Sequence, residues 1–151
     1  MEFTRCTQKS PIKFHSTARP TNIRADSCKI LWKPSVYGGD GTELNCNICM
    51  SNLDDDVKND ILDLERRCLN ENYISCVKND YVKCKIKLDK VELYDIENKR
   101  IQKIDDWENL LVNVMLKISG KWESKTQSGL CINVVALQIV GKQEEKLSPF
   151  I

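Results

Sequence analysis

The chain has 151 residues, 41% of them hydrophobic and 30% charged, and a formal net charge of +1. That length suits one domain able to bury its own core without disulfide staples. A charge so close to neutral gives no whole-protein signal of a nucleic-acid binder, and no window approaches the apolar length of a membrane-spanning helix, which excludes that class.

Charge is instead segregated along the sequence. Residues 1–39 carry seven Lys or Arg against two acids, and residues 40–80 carry four against ten. Residues 81–104 return to a net +3 and the remainder is −1. A chain charged in blocks can present a positive groove beside a negative flank. The N-terminus shows no apolar run or small-residue cleavage pattern, so a soluble, intracellular protein is expected, with no membrane partner. In that reducing setting the eight cysteines read as packing thiols.

In chain order, residues 1–26 are irregular, with Pro11, Pro20 and several Ser and Thr. They read as an N-terminal arm or an edge strand around Ile12 to Phe14. A strand is expected at 28–32, stopped by Pro34. The run Tyr37-Gly38-Gly39-Asp40-Gly41 reads as a loop. Leu44, Cys46, Ile48 and Met50 then alternate with polar neighbours and predict a second strand.

A helix follows over 53–68. Ser51 or Asn52 can cap it, Asp54, Asp55 and Asp56 complement the dipole at its start, and Arg66 and Arg67 lie toward its end. Val57, Ile61, Leu64 and Cys68 recur at four, three and four residues and form one apolar stripe. The opposite face is acidic.

The next strand, 81–88, has the cleanest alternation. Val82, Cys84, Ile86 and Leu88 fall on one face, and Lys83, Lys85 and Lys87 on the other. Short strands are expected at 91–94 and 100–104, then one helical turn at 105–109 with Trp107 folded into the core. A strand at 112–119 runs into Gly120-Lys121-Trp122, which places Trp122 on a turn. The last strand, 130–140, alternates unevenly, which predicts a bulge or burial on both faces. Five or six strands with one inserted amphipathic helix and one short helical turn suit a small antiparallel barrel, because closure removes exposed edges. The divisions read as 1–26 arm, 27–141 barrel domain and 142–151 polar tail.

Binding a single strand without sequence preference takes cations along the phosphates and flat rings on the bases. Lys83, Lys85 and Lys87 are spaced about 6.5 to 7 Å apart on a strand, close to the repeat of an extended single strand. Lys117, Lys121 and Lys125 are candidates to extend this ridge, and Trp122, Tyr81, Tyr37 and Trp32 are the ring candidates. Alternating outward Lys is also common solubilising chemistry. Trp32 is expected to be a partly buried packing residue rather than a stacking ring.

Other chemistry has less support. Cys46-Asn47-Ile48-Cys49 has the gap of a zinc knuckle, but no second such pair exists and His15 is the lone histidine. Strand alternation would also send Cys46 inward and Cys49 outward. No nucleophile elbow or phosphate-cradling loop is present, so a non-enzyme without a cofactor is expected.

The order of pieces from Trp32 to Val140 resembles the oligonucleotide/oligosaccharide-binding (OB) fold single-stranded-DNA-binding proteins of phages and large double-stranded-DNA viruses. The resemblance rests on an aromatic-Pro step at Trp32 to Pro34, the Tyr37-Gly38 loop, and the strand leading into the acidic helix. It continues with the Lys-x-Lys-x-Lys strand, the hairpin with Asp95 and Lys99 near its tip, Gly120-Lys121-Trp122, and the Gly129-Leu130 step. It implies an OB-like barrel whose Lys strand and nearby rings line a groove for single-stranded DNA, with RNA an open alternative. It further implies a viral protein of replication or recombination, placed in the host nucleus or cytoplasm, with replication proteins or self-association as further partners. Members often end in a strongly acidic tail, whereas this chain has only Glu144-Glu145 before its Pro149-Phe150 end. The competing expectation is a non-catalytic interaction module on the same barrel, meeting a partner through the acidic helix or a strand edge.

Overall fold

The computed structural model describes residues 3, 5–9, 12–36 and 45–142, with 5–9 as backbone only. The loop expected at 37–41, including Tyr37, and the tail with Glu144, Glu145 and Phe150 lie outside the described residues. Nine strands and one helix are described: β1 (Arg5–Lys9), β2 (Ile12–Ile30), β3 (Ser35–Val36), β4 (Asn45–Ser51), α1 (Asp55–Cys68), β5 (Val82–Lys87), β6 (Glu92–Tyr94), β7 (Arg100–Ile101), β8 (Leu110–Glu123) and β9 (Ser128–Lys142).

The strands form one curled sheet. β2 pairs with β4, β4 with β5, β5 with β9, β9 with β8, and β8 returns to β2. The links differ greatly in length. β2–β8 and β8–β9 are long antiparallel ladders. β2–β4 rests on the pairs Lys29↔Ser51 and Ile30↔Met50, and β5–β9 on Lys85↔Asn133 and Ile86↔Val134. The result is a mainly β, partial barrel consistent with an OB-like fold.

Three expectations are corrected. The expected arm is largely strand, because residues 13–16 and 21–25 find ladder partners on β8. Pro20, which cannot donate to a ladder, falls in the interval between Ser16 and Thr21 where the register shifts. The sheet is not purely antiparallel, since β9 runs parallel to both β5 and β6. Residues 105–109 make a turn, closed by Leu110 N–H donating to Trp107 C=O at 3.2 Å, with Asn109 in the left-handed region at φ 61. Trp107 is buried as expected.

Alternation places the core. Val82, Cys84 and Ile86 of β5 meet Ile48 and Met50 of β4, Val112 to Ile118 of β8, and Leu130, Ile132 and Val134 of β9. Helix α1 packs Val57, Ile61 and Leu64 on this core, while Asp55, Asp56, Asp60 and Asp63 stay exposed. Its N-cap is Asp54, which makes no side-chain cap bond.

One polar group joins the buried set. Glu65 is fully buried, accepting from Ser75 Oγ–H at 2.6 Å and from Cys76 N–H at 2.8 Å. Burial raises its carboxyl above the usual range, against the lowering effect of those bonds and of Lys78. The two bonds pin residues 69–81 to the helix. That segment then bridges the mouth between β5 and β9, where Ile74 N–H donates to Ser128 C=O at 2.7 Å and Lys83 N–H to Cys76 C=O at 2.8 Å.

Candidate nucleic-acid interface

β5 carries its lysines on the outside of the sheet, with Lys83 and Lys87 exposed and Lys85 half-buried. Across the ladder they face Cys49, Asn47 and Asn45 of β4, so no acid stands directly opposite them. Lys83 and Lys85 line a groove of about 220 Å³ together with Trp122, Asn47, Ile74 and Cys76. Residues nearly forty positions apart in sequence thus share one concave surface with ammonium groups and a ring, the pair of features a single strand needs.

Trp122 lies on β8, not on the turn expected for it. Its ladder partners are Phe14 of β2 and Gly129 of β9. The indole lies against Gly129 so closely that a Cβ there would overlap the ring. The missing side chain is therefore what lets the ring rest on the sheet. Lys85 Nζ stands 5.8 Å from the Phe14 ring centroid, within cation–π range.

The other candidates are placed differently. Lys87 and Lys117 line a second hollow, beyond the parallel ladder. Lys121 is tied into the fold: its Nζ donates to Cys68 C=O at 3.2 Å, meets Glu123 Oε1 at 3.3 Å and stands 4.6 Å from the Phe3 ring centroid. Burial would raise the Glu123 carboxyl, but the bond and charge of Lys121, with His15 adding to them, hold it below its usual range. Lys125 is exposed in the tight 124–127 turn.

Tyr81 and Trp32 meet edge to face at 5.6 Å, and neither lines the Trp122 groove. Trp32 is 53% exposed, which corrects the packing role expected for it. Pro34, two residues on, is buried.

Cys46 is buried and Cys49 only half-buried on the alternating β4 strand, so the two thiols of the knuckle-like pair do not share a face. Among the described residues no cluster of His, Cys, Asp or Glu could hold a metal ion. Burial pushes Cys28 and Cys76 up to about 12 and Cys84 well above its usual value, so these thiols stay protonated packing groups at neutral pH.

Sequence reading missed Lys78, Lys90, Ser119, Asn133 and Phe14 as neighbours of these hollows. Lys90 had a faint signal, its three-residue spacing from Lys87 across a turn. The others are brought in by cross-strand register, which no local pattern reveals.

No protein-family model matches the chain, and no curated protein matches it by sequence. In three dimensions it is similar to the C-terminally truncated single-stranded-DNA-binding protein from bacteriophage Enc34, with a TM-score of 0.56 and 12% identity over 97% of this chain and 98% of that one. The two chains share a fold over essentially their whole lengths.

Proposed function

We propose that this protein binds single-stranded DNA without sequence preference and protects or organises it during replication or recombination, in a viral setting. The observation that carries the reading is the groove where Lys83, Lys85 and Trp122 converge. It lies on a fold shared with a phage protein named for single-stranded-DNA binding. The ammonium groups would follow phosphates and Trp122 would stack on a base, a ring contact worth about 1 to 3 kcal/mol. Binding of this kind needs no catalytic residue and no cofactor.

The test is fluorescence anisotropy of a labelled thirty-base oligonucleotide with a duplex control and a salt series. The expected result is preference for the single strand and a log–log salt slope of about −0.7 per phosphate neutralised. Trp122→Ala should weaken binding about 5- to 150-fold, the equivalent of one lost stacking contact. Absence of binding at low salt, or binding indifferent to salt, would sink the reading.

A further inference from the structure

The parallel ladder between β5 and β9 is two residue pairs long and separates two hollows. One is the Trp122 groove. The other, about 280 Å³, opens where β5 ends at Lys87, and is lined by Lys87, Lys90, Lys117, Ser119, Asn133 and Val135. Among the described residues it is lined by no ring and no acid.

The backbone explains why this hollow exists. After Lys87 the chain turns back on itself, with Lys90 N–H and Val91 N–H both donating to Lys87 C=O at 3.0 and 2.9 Å. That turn throws Lys90 toward Lys87. β9 resumes pairing only at Glu92↔Ala136, and on its other side the register slips between Met115↔Ala136 and Leu116↔Val134. Val135 is therefore the bulged residue, without a ladder partner on either neighbour, and the sheet surface dips there. Lys117 enters from β8 with Asn22 and Asn133 as its cross-strand partners.

None of the three ammonium groups joins an ion pair among the described residues, whereas Lys58, Lys99, Lys103, Lys121 and Lys142 each do. Lys117 is half-buried, so its charge is partly stripped of water without a carboxylate in return. A hydroxyl and an amide sit beside the cations. The volume is several times the roughly 30 Å³ share of one water molecule, enough for a tetrahedral oxyanion with part of its hydration.

We propose that this hollow is a phosphate site distinct from the Trp122 groove, occupied by a phosphodiester of the same strand. This rests on the single-strand reading above. The strand would then cross the outside of the sheet over Lys85 and Asn133, with the Trp122 groove holding a base and the three-lysine hollow holding only backbone. Lys83 and Lys87, four residues apart on an extended strand, set the two places about 13 Å apart.

The experiment uses the full chain and three variants, Lys87→Gln/Lys90→Gln/Lys117→Gln, Trp122→Ala, and Lys58→Gln/Lys99→Gln/Lys103→Gln, the last removing the same charge from ion-paired sites elsewhere. Each is checked for folding by circular dichroism. Each is then titrated against the labelled thirty-base oligonucleotide across a salt series, and against inorganic pyrophosphate by calorimetry.

The proposal expects the hollow variant to lose about 0.7 units of salt slope, from the one phosphate the three lysines share. Trp122→Ala should weaken binding at unchanged slope, and the control triple should keep the parental slope. An unchanged slope in the hollow variant, with the parent still binding, overturns the hollow and leaves the single-strand reading standing. If the parent binds no oligonucleotide, the single-strand reading fails and the strand phosphodiester falls with it. Pyrophosphate binding that disappears only in the hollow variant would then show an anion site for a free phosphate ligand, and no such binding would leave no anion site at all.

Discussion

Lys117 and Lys121 stand four residues apart on β8 and differ in what the fold supplies to each. Lys121 has a carboxylate, a backbone carbonyl and a ring within reach, and its side chain is 18% exposed. Lys117 has two asparagines across its ladders and a hollow shared with two further lysines. An ammonium group whose counter-charges come from its own chain is part of the structure. One surrounded by amides and other cations is left for an external anion. Glu65 is the acidic counterpart of Lys121, a buried carboxyl that accepts from the Ser75 hydroxyl and the Cys76 N–H of its own chain.

The largest expected effect breaks the internally partnered side of this contrast. Glu65→Ala strands the Ser75 hydroxyl and the Cys76 N–H in the interior, and urea unfolding should show a loss of about 3 kcal/mol. A loss under 1 kcal/mol would mean that residues 69–81 do not depend on this anchor. Next, Gly129→Ala drives a methyl group into the Trp122 indole. It should cost about 1 to 3 kcal/mol of stability and quench or shift tryptophan emission, while weakening oligonucleotide binding as Trp122→Ala does.

Smaller effects sharpen the lysine comparison itself. Lys121→Gln should cost under 1 kcal/mol, since its ion pair is partly solvated, and should leave the salt slope of binding alone. Lys117→Gln should leave the unfolding midpoint in place and reduce the slope by a part of the roughly 0.7 that the shared phosphate contributes. A reversed outcome in this pair would refute the partner argument directly.

The smallest effect is in pH. The folded Glu65 pKa is raised above its unfolded value, so the native state holds the proton more tightly. Its contribution to stability is full below the unfolded pKa and declines as pH rises through the raised folded one. The stability of the parent relative to Glu65→Gln should accordingly fall across that window and level off above it, read from urea midpoints at stepped pH.

Much of this was legible in residues 81–88, where strict alternation sends Val82, Cys84 and Ile86 inward and leaves Lys83 and Lys87 outside. Helix α1 was legible for the same reason at a different period, and Trp107 was rightly assigned to the core. Residues 12–26 were not. Their polar composition and Pro20 read as an arm, yet a long ladder to β8 makes them strand, with Ser27 absorbing a bulge at φ 54 and donating its N–H to Asn113 Oδ1 at 2.9 Å. Trp32 was expected to pack and is exposed instead, because exposure depends on what covers a ring.

The sequence by itself determined which faces are apolar and where the cations stand along β5, because side-chain direction follows from local backbone geometry. Only the tertiary structure decided which of those cations meet Trp122, which join Lys90 and Lys117, and which, like Lys121, are claimed by the fold. Those outcomes depend on cross-strand register, bulges and the parallel return of β9, and register is fixed by contacts between residues far apart in the chain.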